Sequence, residues 1–268
     1  MGAEELMPIE VGTAGWSIPR ADAERFDASG SALQRYASRF PVVEINSSFH
    51  RSHRPETWAR WHDEVPDTFR FSVKLPKEVT HWRKLRDCHE PIATFLGEIA
   101  GLRHKLGAVL VQLPPKFEFD RAACSALLDQ LAAVDAAVVC EPRHPGWFTP
   151  RVDDFLAGHR VSRVAADPAI TPRGAVPGGW GELAYYRLHG SPVIYRSSYV
   201  DRLEAIGESL LDSSATSKDV WCIFDNTASS AATQNALSVL EETRRDVEGA
   251  FKPRFPNGIE QASESASA

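Results

Sequence analysis

Short apolar runs alternate with longer amphipathic segments along almost the whole chain. Most of the short runs are continuous or nearly continuous, which is typical of parallel β-strands covered on both faces. The pattern therefore predicts eight buried strands: IEVGTA, PVVEINSS, FRFSVKL, GAVLVQL, AAVVCEP, VSRVAADP, ELAYYRL and VWCIFDN.

Seven segments between these runs carry apolar residues at helical spacing. Pro55 and Asp225 are interpreted as start signals of the helices that follow them. Eight strands in alternation with helices predict an α/β fold, a single (β/α)8 barrel of the TIM type over residues 9–251. The predicted helices are SALQRYASRF, RPETWARWHDEV, residues 91–106, RAACSALLDQLAAV, VDDFLAGH, YVDRLEAIGESLL and AATQNALSVLEETRR.

One connection departs from this alternation. After Asp167 the chain reads PAITPRGAVPGGWGE, which is too rich in Pro and Gly for a regular helix. We expect an irregular connection here that replaces the sixth helix and lies near the mouth of the barrel. Residues 1–8 are read as an N-terminal extension, and residues 252–268 as a polar tail that we expect to be disordered.

Composition fits one globular domain and leaves the partner open. The chain has 268 residues, 43% of them hydrophobic, and a formal net charge of −6, which does not favour a nucleic-acid binder as a whole. Residues 51–86, however, hold nine Lys or Arg against five Asp or Glu and include Trp58, Trp61 and Trp82. Basic residues with aromatics suit phosphates and stacked bases, although Trp58 and Trp61 at helical spacing also fit packing onto the sheet.

Targeting and cofactor signals are not found in the sequence. The segment MGAEELMPIEVG lacks the features of a signal peptide, and no apolar stretch approaches the roughly 18 residues that span a bilayer. We therefore expect a cytoplasmic protein without a membrane partner, and no protein partner can be inferred. No nucleotide-cofactor motif occurs. Cys88, Cys124, Cys140 and Cys222 form no CxxC pair, and we expect Cys140 and Cys222 to be buried reduced thiols.

Polar side chains cluster where the predicted strands end. Catalytic groups of a (β/α)8 barrel come from these carboxyl ends. Period-two alternation places Glu44 with Asn46, Glu141 with Arg143, and Arg187 with His189 on one side of their strands, and inward is the less costly direction. We therefore predict an inward ring of Glu44, Lys74, Gln112, Glu141, Arg143, Asp167, Arg187, His189 and Asp225.

Four kinds of chemistry fit this ring: acid–base catalysis, an imine at Lys74, anion binding and a divalent metal. Glu44 and Glu141 are the acid–base candidates, with His189 or His81 as partner, and Lys74 completes the predicted catalytic set. An imine at Lys74 is less favoured, because nearby Glu44 would keep the amine charged. The predicted substrate-binding residues are Trp16, Asn46, His81, Gln112, Arg143, His144, Trp147, Arg187 and Asn226, with Lys74, Arg143 and Arg187 as anion clamps.

A divalent metal site is a further alternative for the ring. Glu141, Asp167, His189 and Asp225 have the ligand types that such an ion uses, but neighbouring cations would repel it unless the substrate is anionic. A ring that only satisfies its own charges is the purely structural alternative, and burying so many charges for that purpose alone would be costly.

Several long blocks resemble the YecE-like family, domain-of-unknown-function family seventy-two. They run from Val11 to the final helix and include GTAGWS, FPVVEINSSFH, KLGAVLVQLPPKF, EPRHPGWF, YYRLHG and FDNTASSAATQNA. The resemblance implies a TIM-barrel-type fold and no established activity. This chain departs from the family pattern in a shorter segment after Trp16, in His50 where tyrosine is usual, and in Asp225 where asparagine is usual. Asp225 slightly favours a metal, and the shorter segment after Trp16 argues against a lid formed by that segment.

The sequence thus predicts an enzyme of hydrolase or isomerase type. We expect it to act on an anionic substrate, a phosphorylated sugar or a nucleic-acid-like molecule, by acid–base or metal-assisted chemistry at the mouth of the barrel. The alternative is a non-catalytic protein that binds a metabolite or a nucleic-acid strand with the same ring. Turnover separates the two, because a binding protein returns its ligand unchanged.

Overall fold

A computed structural model describes residues 8–250 of the chain, with the backbone alone for residues 244–250. Most of the predicted N-terminal extension and all of the predicted tail at 252–268 lie outside the described residues. None of the helices within the described range is long and apolar enough to cross a membrane.

The described strands form one sheet that is nearly closed into a barrel. The strands are β1 Ile9–Ala14, β2 Val42–Ile45, β3 Arg70–Lys74, β4 Leu106–Gln112, β5 Ala137–Glu141, β6 Val161–Arg163, β7 Ala165–Asp167, β8 Gly178–Gly179, β9 Leu183–Leu188 and β10 Asp219–Phe224. Their order in the sheet is β7-β9-β10-β1-β2-β3-β4-β5-β6-β8, and all neighbouring pairs are parallel except β6 with β8.

The described residues hold ten strands where eight were predicted. The predicted strand VSRVAADP is divided at Val164 into β6, which pairs with β5, and β7, which pairs with β9. The two ends of the sheet therefore meet at this one segment. The two-residue β8 pairs with the edge strand β6, and no apolar run in the sequence predicts it.

Seven helices follow the predicted amphipathic segments, and α2 is an extra turn directly after β2. The helices are α1 Ala32–Ala37, α2 Ser47–His50, α3 Pro55–Glu64, α4 His89–Ile99, α5 Arg121–Leu131, α6 Pro150–Gly158, α7 Leu203–Ser214 and α8 Ala231–Ala250. Pro55 is the first residue of α3, as predicted. The interpretation of Asp225 as a helix start is wrong, because α8 begins six residues later. Its carboxylate instead accepts hydrogen bonds from Arg187 and His189.

The connection between β7 and β9 holds a 3-10 helix, Pro172–Ala175, and β8. Arg163 anchors it from β6: its guanidinium pairs with Asp153 and donates to the carbonyl oxygens of Arg173 and Val176. A side chain from the sheet thus satisfies backbone acceptors that a regular helix would have paired internally.

Two apolar clusters lie on opposite faces of the sheet. Val42, Leu110 and Tyr185 belong to the smaller cluster, whereas their neighbours along each strand belong to the larger cluster that includes the helices. This period-two division is expected for a barrel with a filled interior. Trp58 and Trp61 are buried in the larger cluster, so the packing interpretation of these two residues is correct.

Candidate functional site

A buried hydrogen-bonded network joins the carboxyl ends of β2, β5, β9 and β10, with Arg187 at its centre. Its Nη2 donates to Glu44 Oε1 at 2.6 Å and to Asp225 Oδ2 at 2.9 Å, and its Nε donates to Glu44 Oε2 at 2.9 Å. Its Nη1 donates to Glu141 Oε2. His189 closes the network, with Nδ1 2.9 Å from Asp225 Oδ2 and Nε2 3.0 Å from Glu141 Oε1. The predicted convergence of these five residues is therefore present in the structure.

A second layer of hydrogen bonds lies next to this network on the same face of the sheet. The hydroxyl of Tyr185 donates to Glu44 Oε2 at 3.0 Å and accepts from Ser72 Oγ at 2.8 Å. Our reading of the sequence missed both residues. The signal was present, since Tyr185 lies two positions before Arg187 and Ser72 lies two before Lys74, which places each pair on one face of its strand.

The network fixes the charge states of its members. Burial acts to raise the pKa of Glu141, but Arg187, His189 and Arg143 together hold it well below its ordinary value. The pKa of Asp225 is likewise lowered by Arg187 and His189 against the effect of burial. Burial opposes the charge of Arg187, yet Glu44, Glu141 and Asp225 raise its pKa well above the ordinary value. The carboxylates of Glu141 and Asp225 and the guanidinium of Arg187 are therefore ionised at neutral pH.

Arg143 and Lys74 border this network, and both retain unpaired donors. Arg143 Nη2 lies 2.5 Å from Glu141 Oε1 and 2.7 Å from His189 Nε2, but its Nε and Nη1 have no acceptor among the described residues. The Lys74 amine has no hydrogen-bond or ion-pair partner in the described part of the chain and lies 4.3 Å from the ring centre of Phe49. Gln112 Nε2 donates to Glu141 Oε1 at 3.3 Å.

The surroundings of Lys74 lower the pKa of its amine. Burial lowers the pKa of this amine, the charge of Arg187 adds to that effect, and Glu44, Glu141 and Asp225 oppose it. His81 contacts the same Phe49 ring, with ring centres 5.0 Å apart. Burial and then the charge of Lys74 lower the pKa of its imidazole. His81 Nδ1 is 2.8 Å from Thr80 Oγ1, so its Nε2 is the nitrogen left for a ligand.

Tyr195 borders the same site and was not predicted. Its ring meets the ring of His189 edge to face at 5.9 Å, and the residue is 45% exposed. Burial and the charge of Asp225 raise the pKa of its hydroxyl, which places that hydroxyl within the field of the network. Tyr195 belongs to the irregular segment SPVIYRSSY after β9, where no strand or helix periodicity predicts which way a side chain points.

Two asparagines at the strand ends hold acceptors without a partner. Asn226 is fully buried, and its Nδ2 donates to Ser197 O and to Asn235 Oδ1, both at 2.9 Å. The Oδ1 atoms of Asn226 and Asn46 are buried and accept no hydrogen bond from a described residue. Such acceptors are costly unless a ligand or water supplies a donor.

The predicted metal set is brought together only in part, since Glu141, His189 and Asp225 share the network around Arg187. Asp167 instead accepts from Tyr199 Oη at 2.8 Å and from Arg202 Nη2 at 2.7 Å. Its charge is therefore neutralised by the segment after β9. Within residues 8–250 no group of three or more His, Cys, Asp or Glu side chains has an arrangement that could hold a metal ion.

Four predicted substrate-binding residues have other surroundings. Arg187 has no exposed surface and faces three carboxylates, so it is the centre of the network and not an open anion clamp. Trp147 is buried and donates from Nε1 to Phe117 O at 2.9 Å. His144 Nδ1 accepts from Gly146 N at 3.2 Å and caps the 3-10 helix Pro145–Trp147. Trp16 packs edge to face on Trp61, with ring centres 5.1 Å apart.

A groove of about 370 Å³ lies beside the mouth. Phe49, whose ring faces Lys74, is one of its lining residues, so the groove adjoins the site described above. Trp82 is 66% exposed on this groove, and the amine of Lys77 lies 4.8 Å from its ring centre. The other charged lining residues are Arg51, Glu78, Arg83, Glu90 and Glu98, so both signs of charge are present.

The fold and the site together define an α/β barrel protein with a charged site at the carboxyl ends of its strands. The chain belongs to the DUF72 family, described as a protein of unknown function, whose family model matches residues 10–259. The resemblance inferred from the sequence blocks is thereby confirmed.

Relatives and solved structures agree with this membership. The UPF0759 protein YecE of Escherichia coli (strain K12) is 30% identical over 141 residues, which span 52% of this chain and 50% of that protein. The UPF0759 protein YunF of Bacillus subtilis (strain 168) is 25% identical over 275 residues, covering 87% of this chain and 94% of that protein. Crystal structures of DUF72 family proteins from Enterococcus faecalis V583 and Thermotoga maritima MSB8 match with TM-scores of 0.73 and 0.71. Their identities are 23% and 24%, over 94% and 90% of this chain and 100% and 99% of theirs, so they bear on the fold alone.

Proposed function

We propose that this protein is an enzyme that acts on an anionic, hydroxylated metabolite, foremost a phosphorylated sugar, at the mouth of the barrel. The observation that carries the proposal is the set of unpaired donors beside a closed network. Arg143 Nε, Arg143 Nη1 and Lys74 Nζ have no acceptor among the described residues, whereas Glu44, Glu141 and Asp225 are engaged by Arg187. The proposal treats β6 and β7 as halves of one strand, so that the mouth is that of an eight-strand (β/α)8 barrel.

Arg143 is the group proposed to bind the anion. A guanidinium that is partly accessible and uses only one of its nitrogens can bind phosphate or carboxylate through the other two, at two points. Lys74 then faces a neighbouring oxygen of the substrate. The unpaired donors of Arg143 and Lys74 thus gain a partner that the protein does not supply.

Proton transfer is assigned to His81 and Lys74 in preference to Glu44 and Glu141. Both glutamates are fully buried beneath the mouth, and the lowered pKa of Glu141 makes it a poor proton donor at neutral pH. The lowered pKa of His81 leaves a neutral imidazole that can accept a proton through Nε2. In this proposal the buried ion network holds Arg143 and sets the local field. Acid–base chemistry is preferred to metal assistance, because Asp167 is bound by Arg202 away from the other three predicted ligands.

The test pairs each phosphorylated sugar with its unphosphorylated form. Thermal unfolding is measured with both members of each pair, and mixtures are then followed by mass spectrometry for turnover. We expect phosphorylated members alone to raise Tm and at least one of them to be converted. Equal shifts from neutral and phosphorylated sugars would refute anion recognition, and stable binding without conversion would establish the binding-protein alternative.

A nucleic-acid end is the second candidate, and the exposed ring of Trp82 favours it. An accessible indole with Lys77 and Arg83 nearby can stack a base and contact a phosphate. The candidate predicts binding of a short single-stranded oligonucleotide that weakens steeply with salt and is lost in Trp82→Ala. Unchanged binding in that variant would remove the groove from the proposed function.

A further inference from the structure

Two of the described lysines are buried, and only one of them has hydrogen-bond acceptors. Lys105 is 5% exposed, and its amine donates to His62 O and Val65 O, both at 2.8 Å. Lys74 is 8% exposed, and among the described residues its amine has no acceptor within hydrogen-bond distance. A buried ammonium normally needs such acceptors, so Lys105 is accounted for as a structural lysine and Lys74 is not.

The carboxylates near Lys74 are committed elsewhere. Arg187 binds Glu44 at two points and also reaches Glu141 and Asp225, so none of the three forms an ion pair with the amine. What faces Nζ instead is the ring of Phe49, at 4.3 Å from the ring centre. The sequence-based objection to an imine, that Glu44 would hold Lys74 charged, is weakened because that carboxylate is bound at two points by Arg187.

We propose that Lys74 is a nucleophile that forms an imine with the carbonyl carbon of an aldehyde or ketone substrate. The inference rests on the proposed function, because the same mouth must admit that substrate, with its anionic group on Arg143. The lone pair of Nζ forms the C–N bond, and a proton passes to the carbonyl oxygen to give a carbinolamine. The C–O bond then breaks, and one water leaves as the second N–H proton is lost.

The surroundings of Lys74 shift its pKa in the direction that this step requires. Burial and the charge of Arg187 lower the pKa of Lys74, against the opposing charges of Glu44, Glu141 and Asp225. His81 is the nearby group that can relay protons, since its Nε2 has no partner among the described residues. A lysine on a barrel strand thus has two features that aid nucleophilic attack, a lowered pKa and a neighbouring proton carrier.

Reductive trapping on the intact chain tests the proposal. The protein is incubated at pH 7 with sodium cyanoborohydride and, in separate arms, with glyceraldehyde 3-phosphate, dihydroxyacetone phosphate, pyruvate or unphosphorylated glyceraldehyde. Peptide mass mapping then gives the adduct occupancy of every lysine. We expect at least one phosphorylated or carboxylated probe to modify Lys74 at least tenfold more than Lys77, Lys84 and Lys105.

Two results would overturn the imine. One is that, with all four probes, the adduct occupancy of Lys74 is no higher than that of Lys77 and Lys84. The other is that Lys74→Met still carries an adduct on a single lysine to the same extent as the wild type. Lys105→Met is the matched buried-lysine control and should leave the labelling of Lys74 intact. If the phosphorylated probes raise Tm without labelling Lys74, the imine fails while the proposed function stands. If they neither bind nor label, both fail.

Discussion

Arg187 and Glu44 form a two-point ion pair inside the barrel, with Nη2–Oε1 and Nε–Oε2 distances of 2.6 and 2.9 Å and no exposed surface on either residue. The same guanidinium also pairs with Glu141 and Asp225. Removing it would leave three buried carboxylates without their common partner. The pair is therefore the structural centre of the site and supports the accessible groups around it.

Arg187→Met is expected to lower the free energy of unfolding by about 3–5 kcal/mol or to prevent folding, because an uncompensated buried charge is strongly destabilising. Urea unfolding measures the loss. Lys218→Met removes an exposed ion pair with Glu182 and should cost less than about 1 kcal/mol. An Arg187→Met protein as stable as the Lys218→Met control would contradict the central position of Arg187.

Acid should destabilise the protein through the same network. The pKa values of Glu141 and Asp225 are lowered in the folded state, so their contribution is complete above the unfolded values of 4.5 and 3.8 and is lost as pH falls through and below them. Unfolding free energies between pH 7 and 3 should therefore decline from about pH 5 downward. Glu141→Gln has one fewer carboxylate with a lowered pKa, so its unfolding free energy should decline less steeply with falling pH. Parallel curves for the variant and the wild type would refute the contribution of Glu141.

At the other end of the barrel, Glu10 should have the opposite pH dependence. Burial and the charge of Asp219 raise its pKa to about 7, and its Oε2 is buried with no hydrogen-bond partner among the described residues. Because the unfolded carboxyl ionises first, stability should fall as pH rises from 4.5 to about 7. Glu10→Gln should gain roughly 1–3 kcal/mol at pH 8 and little at pH 4.5. The exposed Glu118→Gln is the control, and an equal gain in both variants at pH 8 would remove the explanation.

Asp167 is expected to be dispensable for binding. Its carboxylate is held by Tyr199 and by Arg202, whose side chain is 49% exposed. Asp167→Asn should cost about 1 kcal/mol of stability and change the affinity for a phosphorylated sugar by less than about twofold. A large loss of affinity, restored by added divalent metal, would return Asp167 to the metal set predicted from the sequence.

Periodicity predicted the part of the site that follows from strand geometry. Glu141, Arg187 and His189 converge because alternate residues of neighbouring parallel strands point to one side of the sheet. The same rule should have added Tyr185 and Ser72, which share those faces. It also predicted most strands and helices, but not the division of one strand at Val164, which depends on which neighbours each half pairs with.

Partner choice could not be read from the sequence. Asp167 and Asp225 both end predicted strands. Arg202, from a distant segment, pairs with Asp167, whereas Arg187 pairs with Asp225. Tyr195 lies in an irregular segment whose direction is set by hydrogen bonds such as Ala228 N to Tyr195 O at 3.0 Å. Which cations remain unpaired, and hence which groups face a ligand, is decided only by these three-dimensional pairings.

The most direct test of the proposed anion site is the dissociation constant of ribose 5-phosphate, measured by calorimetry for wild type, Arg143→Gln and the exposed control Arg202→Gln, with ribose as the neutral reference. A lost charge-assisted, two-point contact should weaken ribose 5-phosphate binding about tenfold or more in Arg143→Gln, leaving ribose and the Arg202→Gln control unaffected. Equal affinity of wild type and Arg143→Gln for ribose 5-phosphate would contradict an anion site at the mouth of this barrel.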